Sequence, residues 1–290
     1  MEGRCKVTDR SQAPTGFARR SRRISDQETE QRMLQVAVDM IKRTGLTVSL
    51  DHISFEDIIR DADVSRSAVY RRWPYKDLFF SDLVKELAHD ATPTIVNDEL
   101  DLMRRVVAEH PDWLETPEGR HGLLSDLIRQ LALFDFQTMY GSAGWRTYLA
   151  LHATVMSLAG GELRDEVQVA LARSEQSRTA RVANAWEQLA GIFGYRLRPE
   201  VGATFESMAM LLSATMHGLI VMALSTPEIA TYRAQASPLG AAGKDEWSLA
   251  AIGIASVATA YLEPDLAITW DEQRLTSVRQ ALSSWAPPNT

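Results

Sequence analysis

The strongest constraint on this chain is the spacing of its apolar residues, which recur every three or four positions through most of the sequence. That spacing places them on one side of an α-helix, whereas a half-buried strand requires strict alternation. Beyond residue 77, helices are predicted for 78–89, 100–108, 119–140, 144–159, 162–193, 200–225, 246–262 and 271–285. Proline and glycine separate these segments, and residues 225–244 are predicted to form a long loop. Because no alternating strand pattern is found, the sequence predicts an all-α fold.

Length and composition favour a protein of the cytoplasm. With 290 residues the chain can form a compact domain beside a larger one. Its single cysteine, Cys5, cannot form an internal disulfide, which is typical of a reducing compartment. The first 30 residues lack the apolar core of a secretory signal. The most apolar stretch, residues 209–224, is interrupted by polar residues and is shorter than a membrane span requires, so no membrane partner is expected.

Charge is distributed unevenly along the chain. Residues 1–76 hold 15 Lys and Arg against 11 Asp and Glu, a net of about +4, although the whole chain carries −7. A basic N-terminal part on an acidic body suits DNA binding by one end. Residues 1–24 are interpreted as a disordered basic arm, or alternatively as a tail without a role. Its arginine cluster consists of Arg19, Arg20, Arg22 and Arg23.

The most informative segment runs from Ser54 to Phe80 and follows a first helix that is predicted from a capping box at Ser25 to Thr44. Ser54 and Ser65 are predicted to cap two short helices that are separated by a tight turn. Val69 and Trp73 should point inward from the second of these helices. Two short helices joined by such a turn and packed on a longer one form a helix-turn-helix, whose second helix can enter a major groove.

The side chains around the second short helix suit contact with DNA. Arginine, serine and tyrosine can donate to bases and phosphates, and a capped helix N-terminus can bind phosphate. The residues expected to contact DNA are Ser54, Ser65, Arg66, Ser67, Tyr70, Arg71, Arg72 and Lys76, with Arg22 and Arg23 from the arm. The alternative is a solvated, arginine-rich surface helix.

This segment resembles the TetR family of bacterial regulators over roughly residues 27–80. The resemblance is carried, in the family's order and spacing, by Asp57, Ile58, Ile59, Ala62, Val64, Ser65, Tyr70, Trp73 and Lys76. It implies a three-helix DNA-binding domain, here residues 25–76, joined to a larger helical domain for ligand binding and dimerisation, here residues 77–290. Two positions depart from the family's usual pattern. Asp63 stands where the turn usually has Gly, which Asp can replace because it tolerates a left-handed backbone, and Ser67 stands where a small residue is frequent.

Inward-facing rows in the larger region supply candidates for a ligand pocket, with plain core as the alternative for the apolar residues and a hydrogen-bonded core histidine as the alternative for His152. These candidates are Asp135, Trp145, Tyr148, His152, Met156, Trp186, Phe205 and Met208. The Asp135 carboxylate is expected to be paired, to be exposed by a local twist, or to face a cationic ligand. The six histidines show no HExxH pattern and no partner cysteines, so no metal is expected. No phosphate-binding glycine loop and no nucleophile beside a base is found. We therefore expect neither a cofactor nor an enzyme.

Two apolar segments predict a homodimer. Residues 204–224 carry Phe205, Met208, Leu212 and Met216 towards one side and Met210, Ala214, Val221 and Leu224 towards the other. A helix that is apolar all round must be covered on all sides. Residues 247–262 are rich in small residues that permit close helix approach, so the two segments could form a four-helix interface with their copies. The alternative is burial inside a monomer.

Together these features predict a DNA-binding transcription regulator of TetR type, acting as a repressor that a small-molecule effector releases from double-stranded operator DNA. The same fold also suits an activator or a repressor without an inducer. The rival from another class is an all-α enzyme or carrier whose N-terminal motif is not used.

Overall fold

The computed structural model describes residues 25–44, 53–89, 97–158, 160–239 and 244–284. Within these ranges twelve helices form almost all of the fold, which confirms the all-α class. Their bounds are α1 Asp26–Thr44, α2 Phe55–Asp61, α3 Arg66–Arg72, α4 Lys76–His89, α5 Asn97–Glu109, α6 Pro117–Gly141, α7 Ala143–Ser157, α8 Glu162–Phe193, α9 Phe205–Ser225, α10 Glu228–Thr231, α11 Leu249–Tyr261 and α12 Glu272–Ser284. Each of the eight helices predicted beyond residue 77 is present within a few residues of its predicted bounds.

Four short strands were not predicted. They pair as two antiparallel ribbons, β1 (Tyr195–Leu197) with β4 (Leu262–Pro264) and β2 (Arg233–Ala236) with β3 (Asp245–Ser248). The prediction of a long loop over 225–244 is wrong, because its described part contains α10 and β2. Strands of three or four residues are too short to show the alternation by which a sequence reveals a strand.

The N-terminal helices share one apolar cluster with the start of the larger region. Met33 and Ile41 from α1, Ile58 from α2 and Phe79 from α4 are fully buried there. The cluster continues into α7 and the first turns of α8, whose buried residues include Trp145, Tyr148, Leu151, Val167 and Leu171. Helices α1 and α4 contact α7, and α4 also packs on α8, so the N-terminal helices are joined to the larger region through α1 and α4.

A second and larger apolar cluster joins α5, α6, α9, α11, α12 and the C-terminal half of α8. Leu123 and Leu127 of α6 lie in it, together with Met208 and Ile220 of α9, and all four are buried. Packing within this cluster is tight. A Cβ atom on Gly253 of α11 would come within 2.7 Å of a methyl group of Thr215 on α9.

Helix α9 has two apolar faces, as the sequence predicts. Met208, Leu212 and Met216 are buried, whereas Met210, Leu211, Val221, Met222 and Leu224 are among the exposed large apolar residues. The apolar stretch 209–224 is part of a longer helix than the sequence indicated, and the core helix of a soluble protein can have the same length and composition as a membrane span. The helix has 21 residues and, among the described residues, is the one helix long and apolar enough to cross a membrane.

The small residues of α11 do not form an open surface. Ala250, Ala251, Ala255 and Ala258 are all at most 3% exposed within the single chain. They allow α11 to pack closely on α6 and α9. Of the two segments expected at a dimer interface, α9 is therefore the one that leaves an apolar face uncovered.

Candidate nucleic-acid interface and buried polar cluster

Local geometry presents one side of α3 to solvent. Asp63 adopts a left-handed backbone with φ of 51° in the turn after α2, as expected for its position. The Ser65 hydroxyl then accepts a hydrogen bond from the Ala68 amide at 3.3 Å and caps the helix. Val69 and Trp73 are 0% exposed and anchor its inner side. The opposite side of α3 must consequently face outward.

The outward side brings together five of the residues predicted to contact DNA, namely Ser65, Arg66, Ser67, Tyr70 and Arg71, which are all exposed. The Arg66 and Arg71 side chains are 72% and 53% exposed, so both can reach a partner outside the chain. Hydrogen-bond donors therefore dominate this surface, which we call the α3 surface.

Acidic residues, which the sequence-based prediction did not include, pair with the arginines of this surface. Arg66 lies 2.7 Å from Glu56 of α2, and Arg71 pairs with Asp26 at the start of α1. Such exposed ion pairs contribute only about 0–1 kcal/mol. A phosphate group could therefore replace either carboxylate at small cost.

Arg72 is held differently from its neighbours. Two of its guanidinium nitrogens each donate at 3.0 Å to Glu30 of α1. A further bond of 3.2 Å reaches Asp82 of α4, and Asp82 also accepts the indole N–H of Trp73 at 2.9 Å. These bonds tie α3 to α1 and α4. Of the predicted DNA contacts, Arg72 is thus the one whose side chain is most engaged within the protein.

The Tyr70 side chain is also positioned by its neighbours. Its hydroxyl donates to Glu56 at 3.0 Å, and this hydrogen bond raises the pKa of the phenol. The ring meets Phe55 edge-on, with centroids 6.1 Å apart. The hydroxyl therefore stays protonated and can act as a donor at neutral pH.

The remaining predicted DNA contacts lie around α3. The Ser54 hydroxyl caps α2 by accepting from the Asp57 amide at 3.2 Å. Lys76 is exposed at the first position of α4. Arg22 and Arg23, like the rest of the predicted arm, lie outside the described residues.

A second polar grouping lies inside the protein, where three of the predicted pocket residues meet. Trp145 and Tyr148 of α7 are 3% and 2% exposed, and their rings pack edge-on with centroids 5.3 Å apart. His152, one turn further along, lies 4.4 Å from the Tyr148 ring and is half-buried. From α9, His217 faces Trp145 and Tyr148 with ring centroids 5.2 Å and 5.7 Å away.

Helix α8 adds a cation to this grouping. Arg178 donates to the Ser213 hydroxyl at 2.9 Å and to Glu175 at 2.5 Å. Its guanidinium carbon lies 5.9 Å from the centre of the Tyr148 ring. We call the set Trp145, Tyr148, His152, Glu175, Arg178, Ser213 and His217 the polar cluster.

Both histidines of the polar cluster are held neutral. Burial, followed by the charge of Arg178 and then by His152, lowers the pKa of His217 to about 4. Burial and then Arg178 also lower the pKa of His152. Their rings therefore act as neutral hydrogen-bonding groups at pH 7.

The other predicted pocket residues lie elsewhere. Met156 is 84% exposed, because the C-terminal turns of α7 leave it outside the cluster, and its expected inward direction is wrong. Trp186, Phe205 and Met208 contribute to the larger apolar cluster. Asp135 is half-buried on α6. Among the described residues, no group of three or more His, Cys, Asp or Glu side chains could hold a metal ion.

Arg178, Ser213 and His217 were missed by sequence reasoning. A weak signal existed for the last two, since both interrupt the otherwise apolar stretch of residues 209–224. Arg178 gave no such signal, because its helix is rich in charged residues.

Of the known proteins compared with this chain, only solved structures are similar to it. No family model and no curated protein matches it. A TetR-family transcriptional regulator from Agrobacterium tumefaciens is similar with a TM-score of 0.39 and 16% identity, over 69% of this chain and 90% of the other.

Two further solved structures show the same degree of similarity. The reduced form of E. coli NemR has a TM-score of 0.41 and 12% identity, and the match covers 81% of this chain and 98% of NemR. The complex of SmeT with triclosan has a TM-score of 0.41 and 18% identity, with coverage of 83% and 94%.

Proposed function

We propose that this chain is a homodimeric, TetR-type transcription regulator that binds operator DNA through the α3 surface and works in the cytoplasm. The observation that carries the proposal is the division of α3 into a buried side and an exposed side. Its inner side is anchored by the buried Val69 and Trp73, and its N-terminus is capped by Ser65. Its outer side presents Arg66, Tyr70 and Arg71. A short helix of this kind, packed on two others, fits the major groove and directs donors at base edges and phosphates.

We assign residues 25–76 to the DNA-binding domain, residues 77–290 to ligand binding and dimerisation, and residues 1–24 to a basic arm. Within the DNA-binding part, Arg66 and Arg71 exchange their carboxylate partners for phosphates or bases, whereas Arg72 keeps α3 in place. Tyr70 and Lys76 contact the DNA backbone, and Ser67 contacts a base or phosphate.

Dimer formation is supported by the open face of α9. Met210, Val221 and Leu224 are each at least 51% exposed on that face. A contiguous apolar surface on one helix is characteristic of an interface. A second copy of the chain would cover it through a two-fold axis and present two α3 surfaces to a palindromic operator, with half-sites about one helical turn apart.

The polar cluster supports release by a small molecule. It lies between α7, α8 and α9; α7 also packs on α1 and α4, and α8 packs on α4. A ligand that shifts these helices would change the distance between the two α3 surfaces of a dimer. The proposed role is therefore that of a repressor whose effector lowers DNA affinity. An activator on the same fold would differ only in the transcriptional outcome.

The decisive experiment is specific DNA binding. Fluorescence anisotropy should show that the full chain binds DNA from upstream of its own gene at least 100-fold more tightly than a scrambled fragment. Its affinity should fall as salt rises, because phosphate contacts release counterions. Deleting residues 1–23 should weaken binding and flatten the salt dependence. No binding to either fragment at low salt would contradict the proposal and favour an all-α enzyme or carrier.

A further inference from the structure

The polar cluster contains four buried polar atoms that have no hydrogen-bond partner among the described residues. They are the indole nitrogen of Trp145, the hydroxyl of Tyr148, Nε of Arg178 and Nε2 of His217. Leaving a buried donor or acceptor unpaired costs about 1–3 kcal/mol. One such atom can be incidental, but four on three adjoining helices in one cluster indicate a site that receives an outside partner.

The chemistry of the four atoms specifies what that partner must offer. The indole nitrogen of Trp145 and Nε of Arg178 can only donate. The Tyr148 hydroxyl can donate, and neutral His217 can carry its proton on Nε2. All four therefore match a partner that supplies oxygen acceptors and no competing donors.

Electrostatics distinguishes an anion from a neutral acceptor. Arg178 is the more deeply buried member of its ion pair with Glu175, since their side chains are 11% and 33% exposed. Its guanidinium carbon lies 5.9 Å from the centre of the Tyr148 ring, and after burial its charge is the next cause that lowers the pKa of both His152 and His217. A negative charge that accepts from the free Nε of this buried cation would be stabilised.

The walls of the cluster are aromatic. Trp145, Tyr148 and His217 present three rings within 6 Å of one another. Flat rings of this kind pack well against another planar group, by stacking or edge-to-face contact. The partner should therefore combine an anionic oxygen group with a planar apolar body.

We propose that the polar cluster binds a small aromatic carboxylate, whose carboxylate accepts hydrogen bonds from Trp145, Tyr148 and Arg178 while its ring packs against His217. This inference rests on the proposed function, in which the cluster is the effector site. It adds the chemical class of the effector, which the helix-turn-helix does not determine.

The test uses benzoate as the probe and benzyl alcohol as its uncharged counterpart, with calorimetric titration of the full chain in the absence of DNA. Tyr148→Phe removes one hydroxyl without changing the shape of the ring. Arg178→Gln removes the cation. Arg173→Gln removes an exposed cation from the same helix and serves as the matched control. Circular dichroism and thermal unfolding show whether each variant remains folded.

Benzoate should bind at least tenfold more tightly than benzyl alcohol. Its affinity should fall about fivefold in Tyr148→Phe and at least tenfold in Arg178→Gln, and it should be unchanged in Arg173→Gln. If benzoate does not bind at millimolar concentration, binds no better than benzyl alcohol, or binds Tyr148→Phe as well as the unmodified chain, the inference is overturned.

The inference and the proposed function fail in different ways. If the chain does not bind DNA specifically, the proposed regulator function is rejected, whatever the result of the benzoate titration. Intact DNA binding without benzoate binding would keep the regulator and reject the effector class. If the inference holds, saturating benzoate lowers the affinity of the unmodified chain for its DNA and leaves that of Arg178→Gln unchanged.

Discussion

Arg72 and Glu30 join α3 to α1 through two parallel hydrogen bonds, each 3.0 Å long, between one guanidinium group and one carboxylate. This fork geometry is the strongest form of an Arg–carboxylate pair. It holds the short helix at a set angle to the longer one, so the direction in which the α3 surface points depends on it.

A double-mutant cycle on Arg72→Ala and Glu30→Ala should give a coupling energy of about 1 kcal/mol in the free energy of unfolding. The matched control is Arg32 with Glu28, a single bond of 2.8 Å along α1, for which we expect about 0.3 kcal/mol. Urea denaturation measures both values. Equal coupling in the two pairs would show that Arg72 does not position α3.

Arg71→Ala and Tyr70→Ala should each weaken operator binding at least tenfold, since losing a base or phosphate contact costs about 1–3 kcal/mol. Stability should change little, because both side chains are exposed. Arg196→Ala is the matched control: its side chain is 52% exposed and is paired with Glu263, as that of Arg71 is 53% exposed and paired with Asp26. Unchanged affinity in both α3 variants would mean that another surface contacts DNA.

Val221→Glu on the open face of α9 should convert the dimer to a monomer that binds the operator poorly, because a buried unpaired charge is costly at an interface. Val169→Glu on α8 is the control, since Val169 and Val221 are 50% and 51% exposed. Light scattering measures the molar mass of each variant in solution. A monomeric unmodified chain would contradict the dimer.

Gly194→Ala should lower the free energy of unfolding by about 1–3 kcal/mol. Gly194 ends α8 in a left-handed conformation with φ of 74°, and an added Cβ would come within 2.8 Å of the Trp270 ring. Gly191→Ala, three residues earlier, meets no atom within 4 Å and should be neutral or stabilising. Thermal and urea denaturation of the two variants provide the comparison.

His217 should make stability depend on pH in mildly acidic solution. Its pKa is about 4 in the folded chain and 6.5 in the reference state, so the unfolded chain binds the proton more readily. Stability therefore falls as the pH drops from about 6.5 towards 4. Because the ring is not fully enclosed, we expect about 1–2 kcal/mol. His217→Gln should lose that much less stability over the same range. Parallel curves for the two proteins would contradict the prediction.

The helices were predictable because each carries its own periodic pattern and recognisable caps. Ser25, Ser54 and Ser65 cap the three N-terminal helices as expected, and Asp63 adopts the conformation that its turn requires. These features depend on residues within one or two turns of one another, so a single sequence contains all the information that they need.

The partners of the site residues were not predictable in the same way. Glu30 lies 42 positions from Arg72, and Ser213 lies 35 positions from Arg178. Nothing in the local pattern of either helix indicates which distant carboxylate or hydroxyl it will meet. For the same reason the periodic stripe on α7 did identify Trp145 and Tyr148 but could not show that His217 from α9 faces them.

Helix α8 continues for 32 residues without a break, and two of its residues connect different parts of the protein. Glu166 pairs with Lys85 of α4, and Arg178 belongs to the polar cluster. The two positions are about 18 Å apart at 1.5 Å per residue. A rigid rod of that length acts as a lever, so a tilt of about 5° at Arg178 displaces Glu166 by about 1.5 Å. A displacement of α8 at Arg178 would thus be transmitted along the helix to α4, because no break in α8 separates the two residues.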